Sequence, residues 1–227
     1  GNVGIGHTRW ATHGVPNEEN AHPHITDEVA VVHNGIIENF SLLKNQIVET
    51  GINFKSDTDT EAIAHLITLY LKSGMGSYEA IRATTEDIKG SYALAIIIRS
   101  EPNKLYAVRK GSPLAVGSSN SKNYIGSDGY SLGNYCNEVT YLKDGDIAII
   151  KNDTFEIFDN LNESINRKSQ IIDKTVTLAE KGVFKHFMSK EIHEQPSVIQ
   201  DSISHYINIE DLTVNLPKFP FNITNLK

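Results

Sequence analysis

The sequence predicts an α+β protein in which two sheets pack face to face with helices outside them, and three observations carry that prediction. Apolar, β-branched runs come in two blocks, one before residue 37 and one after residue 90. Between the blocks lie segments of helical spacing with recognisable start and stop residues. Each sheet must bury at least one face against another layer, so two sheets flanking a helical pair imply stacked layers. At 227 residues the chain has room for one large domain with an appendage and can bury a proper core.

Val3 and Ile5 alternate with Gly4 and Gly6 up to His7, which predicts a buried strand whose glycines let another backbone come close. Arg9 and Trp10 fall at its end. Residues 11–28 are rich in Gly, Pro, Asn, His and charge without periodicity, and predict a long surface loop. Val29, Ala30, Val31 and Val32 then form a buried strand that stops in a tight turn at Asn34-Gly35.

Phe40, Leu43, Ile47 and Val48 predict a helix ended by Gly51 at its C′ position. Thr58-Asp59-Thr60-Glu61 has the spacing of a capping box, with Thr58 as N-cap and Glu61 reaching back. Ile63, Leu66, Ile67 and Tyr70 line one face of the helix that follows. Asp59 lies in its first turn, where the helix dipole favours a carboxylate. Ser77 caps a further helix that runs to Ile88 and ends at Lys89-Gly90. Strands are predicted at 91–99, 105–108, 114–116, 124–126, 139–142, 147–150 and 155–158, with turns at Pro102-Asn103, Asp144-Gly145 and Asn152-Asp153. Residues 160–174 are polar and read as a connector. Phe184, Phe187, Met188, Ile192, Val198, Ile199 and Ile203 restore helical spacing, with Pro196 expected to kink or restart the helix. The organisation expected is therefore a core over 1–160, a connector over 161–183 and a helical linker over 184–227, its apolar stripe built to dock on a further domain.

Composition excludes several classes of function. Twenty-one Lys and Arg against 28 Asp and Glu give a formal net charge of −7, with the basic residues scattered, so nucleic acid is not an expected partner. No apolar run approaches the roughly 20 residues that span a bilayer, and no membrane is expected. One cysteine, Cys136, excludes an internal disulfide framework and suits a reducing cytoplasm. His22-Pro23-His24 has no Asp, Glu or Cys beside it at ligand spacing, so no metal is expected there. No other cofactor is expected either.

The residues that carry chemistry are in two stretches. A guanidinium such as Arg9 can hold a carboxylate through two parallel bonds, and a side-chain amide beside a glycine N–H, as at Asn34-Gly35, makes a two-donor pocket for a developing oxyanion. That pairing suits acyl transfer from an amino acid.

Five motifs give the two stretches a context. His-Thr-Arg-Trp-Ala-Thr-His-Gly at 7–14, Val-Val-His-Asn-Gly-Ile-Ile-Glu-Asn at 31–39, Ser-Asp-Thr-Asp-Thr-Glu at 56–61, Gly-Ser-Pro-Leu at 111–114 and Lys-Glu-Ile-His-Glu-Gln-Pro at 190–196 stand in this order. Together they resemble the glutamine:fructose-6-phosphate amidotransferase (glucosamine-6-phosphate synthase) family over almost the whole chain. The resemblance implies an N-terminal-nucleophile hydrolase fold, an α-β-β-α sandwich. It implies a glutaminase that passes ammonia to a sugar-isomerising domain, where fructose 6-phosphate becomes glucosamine 6-phosphate, in an enzyme assembled as a homodimer. By position, Arg9 corresponds to the clamp on the glutamine α-carboxylate, with Thr12 and His13 completing that pocket. Trp10 corresponds to a residue lining the passage toward the sugar site, Asn34 and Gly35 to the oxyanion hole, and Asp59 to the partner of the substrate ammonium.

The family's nucleophile is an N-terminal cysteine whose own α-amine acts as base. Gly1 stands where this chain begins, and Cys136 is internal. The chain reads as a fragment of the glutaminase domain with a linker, expected to be inactive alone. Two alternatives stay open: a non-catalytic binding or assembly module of the same fold, and an amidotransferase of the amidophosphoribosyltransferase type.

Overall fold

A computed structural model describes residues 2–9, 14–119, 122–172, 182–204, 206–208 and 213–214. The chain divides into two compact units, Gly1–Thr177 and Leu178–Lys227.

The first unit is built on an antiparallel sheet of seven strands. In spatial order these are β1 (His24–Ile25), β2 (Val29–Ile37), β3 (Gly90–Ile98), β4 (Leu105–Lys110), β8 (Ile147–Ile150), β9 (Phe155–Phe158) and β10 (Ser164–Ile165). A second sheet runs in the order β11 (Ser169–Ile171), β7 (Glu138–Tyr141), β5 (Ala115–Ser119) and β6 (Lys122–Gly126). Side chains alternate across a strand, and the alternation sorts the core into layers. Val29 and Val31 of β2, Leu94, Ile96 and Ile98 of β3, and Tyr106 and Val108 of β4 face the helices α1 (Phe40–Glu49), α2 (Asp59–Lys72) and α3 (Ser77–Asp87). Val32, Ala93, Ala95, Leu105 and Ala107, on the opposite face, pack with Leu114 and Val116 on and beside β5. Beyond the second sheet, Ala115 and Val139 pack with Leu132 and Cys136 around the short helix α4 (Gly129–Leu132). The layers are helix, sheet, sheet and helix, an α-β-β-α sandwich of the expected class.

Helix boundaries follow local chemistry. Gly51 adopts φ 88 just past α1, the left-handed C′ geometry its position predicts. The capping box does not close as expected. Thr58 is the N-cap of α2 but makes no side-chain cap bond. Its hydroxyl bonds instead to His24 Nε2 at 2.7 Å, while the Glu61 carboxylate accepts from the N–H groups of Lys55 and Ser56 at 2.8 and 2.7 Å. A tertiary partner drew the threonine away, and Glu61 closes the preceding turn. Gly76, not Ser77, is the N-cap of α3. Helix α4 was not foreseen; Asp128 caps it by accepting from the Ser131 N–H at 2.7 Å.

Three further expectations are corrected. Residues 3–7 join no ladder among the described residues; Val3 and Ile5 pack against the inter-sheet core all the same. Asn34-Gly35 is not a turn, because β2 continues through it to Ile37, with Gly35 opposite Tyr92 and Ile37 opposite Gly90. Gly35 lies at φ 137, and a Cβ there would stand 2.0 Å from the Ser91 carbonyl oxygen, so the glycine serves close strand contact. The polar segment after residue 160 is not a plain connector. It supplies β10 to the edge of the first sheet and β11 to the edge of the second. Between them Arg167 reaches the fully buried Asp146, donating from Nε at 3.0 Å and from Nη2 at 2.7 Å.

In the second unit, α5 (Phe187–Ser204) runs unbroken through Pro196, and β12 (Ile207–Asn208) pairs with β13 (Thr213–Val214). Met188, Ile192, Val198 and Ile199 are exposed. No helix among the described residues is long and apolar enough to cross a membrane.

Removing one partner of a buried ion pair leaves the other charge stranded, which costs about 3 kcal/mol. Arg167→Ala is therefore expected to lower the urea midpoint by the equivalent of about 3 kcal/mol, with Arg167→Lys in between. A midpoint equal to that of the unaltered chain would mean that the 164–171 strap does not hold the sheets together.

Candidate functional site

The alternation of β2 also builds a cleft. Odd-numbered residues face the helices, so buried His33 points beneath the sheet toward the start of α2, while its neighbour Asn34 is exposed on the other side. Strand β1 ends opposite Ala30 and Val31, so no described strand covers that edge of β2 beyond them. The N-terminal turn of α2 closes the edge instead. Asp59 Oδ2 accepts the Ile37 N–H at 2.8 Å, whereas the N–H of Glu38 turns the other way to Lys89. Backbone N–H groups alternate sides along a strand, which puts that of Gly35 on the Ile37 side, over the cleft. The cleft has a volume of about 230 Å³ and is lined by His7, Arg9, His22, His33, Asn34, Gly35, Ile36, Thr58, Asp59 and Thr60.

The sequence candidates Arg9, Asn34, Gly35 and Asp59 thus come from three segments to one cleft. Trp10, Thr12 and His13 lie outside the described residues. Arg9 adopts φ 54, its N–H donating to His7 Nδ1 at 2.9 Å, and its guanidinium donates to the carbonyls of Val15 and Gly14 at 3.1 and 3.3 Å. Buried Asn20 braces the same loop. Its side chain donates to Val15 O at 3.0 Å and accepts the Asp57 N–H at 2.9 Å, tying the loop to the turn before α2.

A cluster of imidazoles lies under the cleft. His22 Nε2 and His33 Nδ1 both bond the Thr60 hydroxyl, at 2.9 and 3.1 Å, and His33 Nδ1 lies 3.8 Å from Asp59 Oδ1. The rings of His7 and His22 sit 4.7 Å apart, and those of His22 and His24 5.2 Å apart. Burial pushes the His22 imidazole down to about 3, helped by His7, His24, His33 and Arg9 around it. Desolvation lowers His24 as well, and lowers His7 together with the Arg9 charge. The rings of His7, His22 and His24 are neutral at pH 7 and act as hydrogen-bonding groups. His22 and His24 spend their Nε2 atoms on Thr60 and Thr58, two hydroxyls spaced like the two histidines. Sequence reasoning weighed that histidine pair only as metal ligands, gave Thr58 only a capping role and passed over Thr60. His65 bonds Glu61 at 3.3 Å and packs edge-on against Phe54.

Fold and cleft together define a glutamine amidotransferase-type domain, and comparison with known proteins agrees. The model of the glutamine amidotransferase domain family matches residues 7–133, more than half of the chain, and the chain belongs to that family. It is 48% identical over 211 residues to the glutamine–fructose-6-phosphate aminotransferase (isomerizing) of Rhizobium leguminosarum bv. viciae, covering 93% of this chain and 35% of that protein. The enzyme of the same name from Mesorhizobium japonicum is 44% identical over 226 residues, covering 100% of this chain and 37% of the relative. The chain thus spans about a third of the length of these curated relatives. Among solved structures, the glutamine phosphoribosylpyrophosphate amidotransferase of B. subtilis superposes with a TM-score of 0.55 at 26% identity, over 71% of this chain and 35% of that one.

The lowered histidines fix the sign of a pH effect. Below about 6.5 the unfolded chain takes up protons that folded His22, at about 3, refuses, so stability is complete above that pH and is lost as pH falls. The melting temperature is expected to fall between pH 7 and pH 5, and His22→Asn to flatten the fall. A profile flat or rising toward pH 5 in the unaltered chain would contradict neutral burial of these rings.

Proposed function

We propose that this chain is the glutamine-binding part of a glutamine–fructose-6-phosphate aminotransferase, an enzyme that moves ammonia from glutamine to fructose 6-phosphate on the way to amino sugars. The observation that carries this reading is the meeting of Arg9, Asn34, Gly35 and Asp59 in one cleft. Each offers a group that glutamine needs. The Arg9 guanidinium suits the α-carboxylate, to which the motif also assigns Thr12 and His13, and Asp59, held in place by the Ile37 N–H, presents its second oxygen to the α-ammonium. The Asn34 amide and the Gly35 N–H are the donors for the oxygen that gains charge when the amide carbon is attacked. By its motif, Trp10 corresponds to the residue that lines the passage toward the sugar site in the family resembled.

Identity of 48% to aminotransferases supports this reading over the amidophosphoribosyltransferase type, whose structural match has 26% identity. Retention of the whole donor set argues against a module that only assembles. The exposed apolar residues of α5 support its reading as an arm toward a sugar-isomerising part. The whole enzyme is read, by the same resemblance, as a cytoplasmic homodimer.

The attacking thiol is not among the groups that line the cleft. Cys136, the one cysteine, is buried between α4 and the second sheet, its Sγ–H donating to Leu132 O at 3.2 Å, and does not line the cleft. The 227 residues by themselves are expected to release no ammonia from glutamine, because binding and oxyanion donors do not replace a nucleophile. Ammonia release that disappears in Cys136→Ala would overturn this. Glutamine should nevertheless bind, and Arg9→Ala and Asp59→Asn should each weaken binding at least about tenfold, near 1.4 kcal/mol, by calorimetric titration. Equal affinity in both variants and the unaltered chain would remove the glutamine reading of the cleft.

A further inference from the structure

We propose that Thr60 is a positioning residue that couples the two halves of the cleft, the Arg9 arm and the Asn34-Gly35 strand; this rests on the glutamine reading given above. Thr60 is 1% exposed, and its hydroxyl is the meeting point of His22 Nε2 and His33 Nδ1. A hydroxyl has one proton, so it can donate to at most one of two rings, and at least one imidazole must donate to it. The tautomers of His22 and His33 are therefore set jointly through this one oxygen.

Each ring leads to a different half of the cleft. His33 directly precedes Asn34, and its bond to Thr60 holds β2 on α2 from one side of the Asn34-Gly35 pair; the bond from Ile37 N–H to Asp59, the neighbour of Thr60, holds it from the other. Two adjacent residues of α2 thus bracket the donors. His22 leads the other way, stacking on His7, whose Nδ1 accepts the N–H of Arg9 and so supports the left-handed backbone there. The threonine hydroxyl thus links the two ends through one oxygen. Thr68 and Thr84, deeper in α2 and α3, bond the helix carbonyl four residues back, whereas Thr60, second in α2, has no helix carbonyl there and turns its hydroxyl to the two rings.

The test compares Thr60→Val, which keeps shape and removes the hydroxyl, with Thr60→Ser, which keeps the hydroxyl, in the 227-residue chain. Imidazole and amide NMR spectra are recorded with and without glutamine. Thr60→Val is expected to move the ring signals of both His22 and His33 and the amide signals of both Arg9 and Gly35. It should weaken glutamine binding roughly fivefold, the scale of one lost neutral hydrogen bond, while Thr60→Ser stays within about twofold. A change in one ring only, or Arg9 and Gly35 signals unchanged in Thr60→Val, would overturn the coupling. Should Thr60→Val fail to fold, His22→Gln decides: the Gly35 amide, on the far side of Thr60, must move, and an unmoved signal would overturn the proposal. If the unaltered chain binds no glutamine, the reading of the cleft fails, and the ring and amide signals still judge the coupling.

Discussion

Burial of the central sheet on both faces is the constraint from which the rest of this structure follows. Strands β2 and β3 lie between helices on one side and a second sheet on the other, so each residue of β2 is assigned to a layer by its parity alone. Val31 and His33 go to the helices; Val32 and Asn34 go to the other side. A slip of one residue would bury the Asn34 amide against α2 and turn His33 into the inter-sheet layer. The hydrophobic pattern that stabilises the sandwich is thereby the same pattern that aims the cleft donors.

The start of α2 is where the cost of burying polar groups is met. Asp59, Thr60 and Glu61 are successive buried polar residues, which would be prohibitive without partners. Each finds them in a different segment: Asp59 on β2, Thr60 on the histidines before and within β2, Glu61 on the turn at Lys55 and Ser56. The dipole at the helix N-terminus favours both carboxylates. Asp146 repeats the principle at the other end of the sandwich, where Arg167 and the Lys143 N–H satisfy a carboxylate with no exposure.

The imidazole cluster answers a related electrostatic problem. Arg9 brings a fixed cation to a cleft that already holds several titratable rings, and any ring that charged would oppose it across a poorly solvated gap. Burial settles the conflict by keeping His22 neutral beside the Arg9 guanidinium. Neutral imidazoles can still donate and accept, so they brace the arm without competing for a carboxylate.

The layer order and the site candidates were legible in the sequence because both rest on short-range patterns. Period-two runs gave the strand blocks, helical spacing with Gly51 gave α1, and the motifs around Arg9, Asn34 and Asp59 marked the cleft before its shape was known. What misled were residues whose local meaning was overruled by a distant partner. Asn34-Gly35 has the composition of a turn, yet β3 pairs straight through it, and the glycine is needed because the Ser91 carbonyl comes so close. Thr58 has the place of a cap, but His24, 34 residues away, takes its hydroxyl. The polar stretch after residue 160 shows no periodicity of its own, since its strands are two and three residues long and owe their form to the sheet edges they complete. By itself the sequence marked, through its motifs, four of the residues that line one cleft: Arg9, Asn34, Gly35 and Asp59. Only the tertiary structure decided that Thr60 joins them, because a hydrogen bond between His22 and Thr60 spans 38 residues and no local preference encodes it.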